Sequence, residues 1–104
     1  MLAALEVNGE VRATAGYRIT DFLARGRNLY VDDLVTAESS RSSGYGKALL
    51  QWLIERARAE RCVSFELDSG VQRHGAHRFY LREGMHISAY HFALALAPRD
   101  PARP

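Results

Sequence analysis

The sequence predicts an α+β fold: a mixed, mostly antiparallel sheet with a central β-α-β crossover, its elements running β-β-β-α-β-α-β. Three observations predict it. Residues 2–36 hold three strand-like runs with short polar breaks, one long amphipathic helix follows over Gly46 to Glu60, and Cys62 to Asp68 then alternates like a strand again. A strand, a helix and a strand in that order place the two strands parallel, whereas strands joined by tight turns pair antiparallel. A chain of 104 residues holds one such core. Residues 1–97 therefore read as a single domain, and 98–104, rich in proline and charge, as a flexible C-terminal tail.

Each element has its own justification. Leu2 to Val7 and Val11 to Leu23 flank Asn8-Gly9, a dipeptide that accepts the positive φ angles of a two-residue hairpin turn. Polar residues from Ala24 to Asn28 break the pattern before Leu29 to Thr36, LYVDDLVT, whose branched and aromatic side chains favour a third strand. Within that run the apolar rhythm changes phase: Leu29 and Val31 lie two apart, but Leu34 would face the other way in an unbroken strand. Either both faces are covered, or one extra residue is inserted near Asp32 and Asp33 as a β-bulge, a device over-represented beside active sites.

The helix follows from Leu49, Leu50, Leu53, Ile54 and Ala57 on one stripe, with Lys47, Gln51, Glu55 and Arg58 opposite. In the next strand Val63, Phe65 and Leu67 are expected inward. A turn over Asp68 to Gly70 leads to a short helix, Gln72 to Arg82, which Gly84 is placed to cap in a left-handed conformation. MHISAYHFALAL, Met85 to Leu96, reads as a last strand or pair of strands.

Composition narrows the function. With 47% hydrophobic and 25% charged residues the chain is globular rather than disordered. A net charge of +2 is too small to mark a nucleic-acid footprint by itself. One cysteine, Cys62, closes no internal disulfide, and no stretch looks like a leader or a membrane span, so a cytoplasmic protein is expected. His74 and His77 share a helical face but have no third ligand in view, so no metal site is expected.

The stretch RSSGYGKALL, Arg41 to Leu50, puts two glycines, two serines and two basic residues at the start of the long helix. The first amides of a helix lack intrahelical partners and carry partial positive charge, and glycine lets an anion approach them closely. Gly44 and Gly46 stand at that place, with Arg41, Ser42, Ser43 and Lys47 as side-chain donors for a phosphate. A Walker loop would need a glycine where Arg41 stands and a Ser or Thr where Ala48 stands. A dinucleotide fingerprint would need a small residue in place of Leu49. A plain strand-to-helix connection remains the alternative.

The order of strand, polar loop, Arg41-x-x-Gly44-x-Gly46, amphipathic helix and strand, followed by AHRFYLREGM, resembles the GNAT superfamily of N-acetyltransferases. Ala76, Phe79, Tyr80 and Gly84 match that family's second-helix pattern, and the resemblance spans Leu29 to about Leu96. It implies an acyl-CoA N-acyltransferase-like fold and an enzyme that moves an acetyl group from acetyl-CoA to a primary amine by direct attack in a ternary complex. It implies that Leu34, Val35 and Thr36 pair with the pantetheine arm, and that Arg41, Ser42, Ser43, Gly44, Tyr45, Gly46 and Lys47 hold the phosphates. Tyr80 matches the tyrosine that protonates the leaving thiolate. Asp33, with Asp32 and Glu38 beside it in the sequence, is a candidate to take the amine's proton.

The sequence departs from the family twice. Arg73 stands where many members carry asparagine, and is a candidate for a phosphate contact. The chain also starts at the equivalent of the family's second strand, without the strand and two helices that build one wall of the acceptor site. A homodimer is the expected assembly, because sheet edges and an apolar face need cover. The main rival function is a non-catalytic acyl-CoA-binding module, and a nucleic-acid-binding domain using the basic loop is another.

Overall fold

The structure, a computed structural model, describes residues 1–36 and 44–97. Arg41, Ser42, Ser43, Glu38 and the tail 98–104 lie outside the described residues. The chain forms two compact units, Met1–Asp68 and Ser69–Pro104.

The first unit is a sheet with a helix packed on one face. Its strands are β1 (Leu2–Val7), β2 (Glu10–Phe22), β3 (Gly26–Thr36) and β4 (Ser64–Leu67), with α1 (Tyr45–Ala59) between β3 and β4. The sheet order is β1-β2-β3-β4. β1 with β2 and β2 with β3 pair antiparallel, and β3 with β4 pairs parallel. The meander and the crossover thus form as the sequence predicts. At the first hairpin Asn8 (φ 54) and Gly9 (φ 80) both take the positive φ of the tight turn.

α1 covers the sheet because Leu49, Leu53 and Ala57 on its buried side cluster with Ala3, Ala13, Ala15, Tyr17, Leu29 and Val31. Three alanines on the sheet side let the helix axis come close. Leu29, Leu50 and Leu53 are fully buried, and burying each such side chain contributes about 2 kcal/mol. Helix α1 ends in two paired bonds, Cys62 N–H to Ala57 O at 2.8 Å and Arg61 N–H to Arg58 O at 3.0 Å. That Schellman turn places Arg61, not glycine, at positive φ, 60°. The guanidinium of Arg27 on β3 donates to Glu60 O at 2.8 Å, tying the helix's exposed carbonyl end to the sheet.

The phase change in β3 is a β-bulge. Gly16 pairs with Asp33 and Tyr17 with Val31, so Asp32 is the extra residue. Asp32 and Asp33 both stand exposed, and Leu34 returns to the core. Of the two readings of this strand, the inserted residue is the one that forms.

Two sequence expectations are corrected. Val63 is 70% exposed because β4 begins only at Ser64; Phe65 and Leu67 do pack on the core. Residues 85–97 form no strand, and Ile87, Tyr90, Phe92, Leu94 and Leu96 are exposed. Alternation supplies strand propensity, but a strand needs a partner strand, and among the described residues no strand pairs with this segment. In the second unit α2 (His74–Arg82) ends as expected at Gly84, φ 91, with Met85 N–H on Tyr80 O and Gly84 N–H on Leu81 O, each 3.1 Å.

Candidate active site

Helix α1 opens without a capping side chain. Gly44 sits at the cap position with φ 82, and its carbonyl accepts the first helical bond from Ala48 N–H at 3.0 Å. No acidic residue lies in the first turn. Among the described residues, a Cβ at Gly44 would meet nothing within 4 Å. A Cβ at Gly46 would come within 3.1 Å of Thr36 Oγ1, which shows how closely the helix start approaches the end of β3. Tyr45 packs against the core and anchors the turn, and Lys47 is exposed. Aligned amides, no carboxylate in the first turn and little side-chain bulk among the described residues make this helix end suited to an anion.

The second component is the end of β3. Its pairing with β4 stops at Val31 with Leu67, yet β3 continues to Thr36. Past the bulge, the β3 edge that faced β4 meets no strand among the described residues, which leaves backbone groups of Leu34, Val35 and Thr36 for an extended ligand. Leu34 is packed on the core, Thr36 is half-buried and Val35 is exposed. The structure therefore brings Leu34 to Thr36 and Gly44 to Lys47 to one end of the sheet.

Asp33 is fixed by a residue the sequence reading did not single out. Its Oδ1 accepts the Gly16 N–H at 2.8 Å, and a Cβ at Gly16 would lie 2.6 Å from that oxygen. The carboxylate occupies the side-chain position, so any larger residue at 16 displaces it. A second missed group is a row across the sheet. The Arg18 guanidinium lies 4.9 Å from the centroid of the Tyr30 ring and pairs with Asp32 at 3.3 Å, and the Tyr30 hydroxyl donates to Asp68. The Asp68 bond, then burial, push the Tyr30 hydroxyl up to about 12. The signal for this row is the register, which sets Arg18 opposite Tyr30 and Tyr30 opposite Glu66, and no single run of sequence contains it.

In the second unit Tyr80 is half-buried, and its ring lies 5.4 Å from that of Phe79. Burial pushes its hydroxyl above the ordinary phenol value, with the Arg73 guanidinium pulling it down. Tyr80 thus stays a proton donor at neutral pH. Arg73 is the cap residue of α2, its carbonyl accepting from His77 N–H at 3.1 Å. The His74 and His77 rings stand edge to face at 5.9 Å, and His77 Nε2 lies 2.7 Å from Gly70 O. Among the described residues no group of three His, Cys, Asp or Glu is arranged to hold a metal ion. Burial raises the Cys62 thiol, which makes it a poor nucleophile. No helix of the described residues is long and apolar enough to cross a membrane.

Comparisons with known proteins bear on the family and the fold. The chain is 41% identical over 93 residues, 88% of its length, to an uncharacterized N-acetyltransferase, YhdJ, of Bacillus subtilis. It is 39% identical over 66 residues, 64% of its length, to an aminoalkylphosphonate N-acetyltransferase of Salmonella typhimurium. Among solved structures it superposes on a transcriptional regulator from Bacillus halodurans with TM-score 0.85 and 26% identity, covering 91% of this chain and 65% of that one. The chain spans 66% and 43% of the two relatives' own lengths. The sequence profile of the acetyltransferase (GNAT) family matches residues 1–85, and by that match over most of its length the chain belongs to the GNAT acetyltransferase family.

Proposed function

We propose that this protein is an acyltransferase that moves the acetyl group of acetyl-CoA to a primary amine by direct attack in a ternary complex. The observation that carries the reading is the meeting, at one end of the sheet, of a helix start with no acidic residue in its first turn, Gly44 to Lys47, with a β3 edge at Leu34 to Thr36 that no strand among the described residues pairs. One binds an anion and the other an amide-bearing chain, the two parts of coenzyme A. The phosphates are assigned to the helix start at Gly44, with Arg41, Ser42, Ser43 and Arg73 as their side-chain donors.

The coenzyme supplies an activated thioester, and the protein's own groups do the rest. Backbone amides freed by the bulge at Asp32 polarise the carbonyl, so charge that develops on oxygen meets a fixed donor. Asp33, oriented by Gly16, is the group assigned to take the amine's proton. Tyr80, kept protonated by burial, returns a proton to the leaving sulfur. Holding both substrates in one site supplies much of the acceleration.

The reading extends to a cytoplasmic homodimer, because no strand among the described residues pairs with the outer edges of β1 and β4. Light scattering that shows a monomer at every concentration would remove the dimer. Function is tested by calorimetric titration with acetyl-CoA, then thiol release with an aminoalkylphosphonate, a polyamine and a peptide with a free N-terminus. Amine-dependent release supports the transferase. Binding without release from any of them supports a non-catalytic acyl-CoA-binding module.

A further inference from the structure

Tyr30 lies one residue before the point where β3 and β4 part. Alternation sets its side chain: Leu29 and Val31 are buried under α1, so Tyr30 projects from the opposite face, as do Ser64 and Glu66 relative to Phe65 and Leu67. Asp68 follows directly on the end of β4, and the Tyr30 hydroxyl donates to it across the two strands. From the other side, the directly paired Arg18 on β2 stacks on the Tyr30 ring. Alternation sets Asp32 on the same face, where it pairs with Arg18. Three groups, Arg18 on β2, Asp32 on β3 and Asp68 after β4, thus fix one phenol at the mouth of the splay. A hydroxyl whose proton is committed to a carboxylate presents its oxygen lone pairs as an acceptor. An amine with N–H groups is the matching ligand.

We propose that Tyr30 receives the acceptor amine, its phenolic oxygen accepting an N–H while Asp68 holds the hydroxyl in place. This rests on the transferase reading and names the residue on its acceptor side. Tyr30 contacts the amine, whereas Asp68 and Arg18 are positioning residues. No proton changes owner in this step: the amine is oriented with its lone pair turned toward the thioester carbon.

The test uses the full chain and two readouts. In turnover, Tyr30→Phe keeps the ring on Arg18 and removes only the oxygen; it is expected to lower kcat/KM for the amine by about tenfold or more while the Kd for acetyl-CoA stays unchanged. Asp68→Asn, which still accepts the hydrogen bond, is expected to lie between wild type and Tyr30→Phe. Unchanged kcat/KM in Tyr30→Phe, or a loss confined to acetyl-CoA binding, would overturn the proposal. In binding, protein labelled at tyrosine Cζ and saturated with coenzyme A is titrated with the same three amines. The Tyr30 resonance, identified by its absence in Tyr30→Phe, is expected to shift. A shift without any turnover keeps this proposal and removes the transferase; turnover without a shift keeps the transferase and removes this proposal; neither removes both.

Discussion

If the Gly16 amide and the Asp33 carboxylate hold the bulge together, substitutions at the two positions must be coupled. Asp33→Ala removes a charge-assisted hydrogen bond of 2.8 Å. Such bonds contribute about 1.5–3 kcal/mol when shielded, and the exposure of this pair reduces that to about 1 kcal/mol. Gly16→Ala places a Cβ 2.6 Å from Oδ1. The carboxylate end must swing away, so the same bond is lost, but alanine in a strand recovers about 0.5 kcal/mol relative to glycine. Its net effect is a loss of about 0.5 kcal/mol. With Asp33 already truncated, the next neighbour of the new Cβ is Asp32 Cβ at 4.0 Å, an ordinary contact. Gly16→Ala then becomes stabilising, and the double variant is more stable than Asp33→Ala alone. The expected coupling is about 1 kcal/mol, read by urea denaturation of the four proteins. Additivity within about 0.3 kcal/mol would refute the argument that glycine is needed because the carboxylate fills its side-chain position.

Three further outcomes follow from the geometry. Arg61→Gly relieves a left-handed residue at φ 60 in the turn that ends α1, and should raise stability by about 1 kcal/mol in thermal melts. Because the Tyr30 hydroxyl ionises near 12 when folded, above the ordinary 10, the unfolded chain loses that proton first, so stability falls as pH rises between those values. Tyr30→Phe should flatten that alkaline decline, and a decline of equal slope would count against the Tyr30–Asp68 bond. Gly46→Ala sets a Cβ 3.1 Å from Thr36 Oγ1 and should weaken acetyl-CoA binding by about tenfold in calorimetry, with stability changed by less than about 1 kcal/mol.

Much of this architecture is legible in the sequence, for reasons that are local. Asn8-Gly9 announces a hairpin because both residues tolerate positive φ, and the Leu-rich stripe of α1 has the period of a helix. The out-of-phase Leu34 signals the bulge because a strand has a strict period of two. Gly84 announces the cap of α2 for the same reason as Asn8-Gly9. What is not legible depends on partners. Residues 85–96 have strand periodicity, but no strand pairs with them among the described residues. Val63 looks inward by alternation, yet β4 starts one residue later. At the site, the glycine turn is readable because a helix start is a local anion site. The row Arg18, Tyr30 and Asp68 is not readable, because only the register of three strands brings those residues together.

If the helix start at Gly44 binds the phosphates of acetyl-CoA, calorimetric titration of wild type beside Gly44→Glu will show it. A glutamate there places bulk and negative charge before the helix amides. Wild type is expected to bind, and Gly44→Glu, still folded by circular dichroism, to lose at least about a hundredfold in affinity. Equal binding by both proteins, or no binding by wild type, would contradict it.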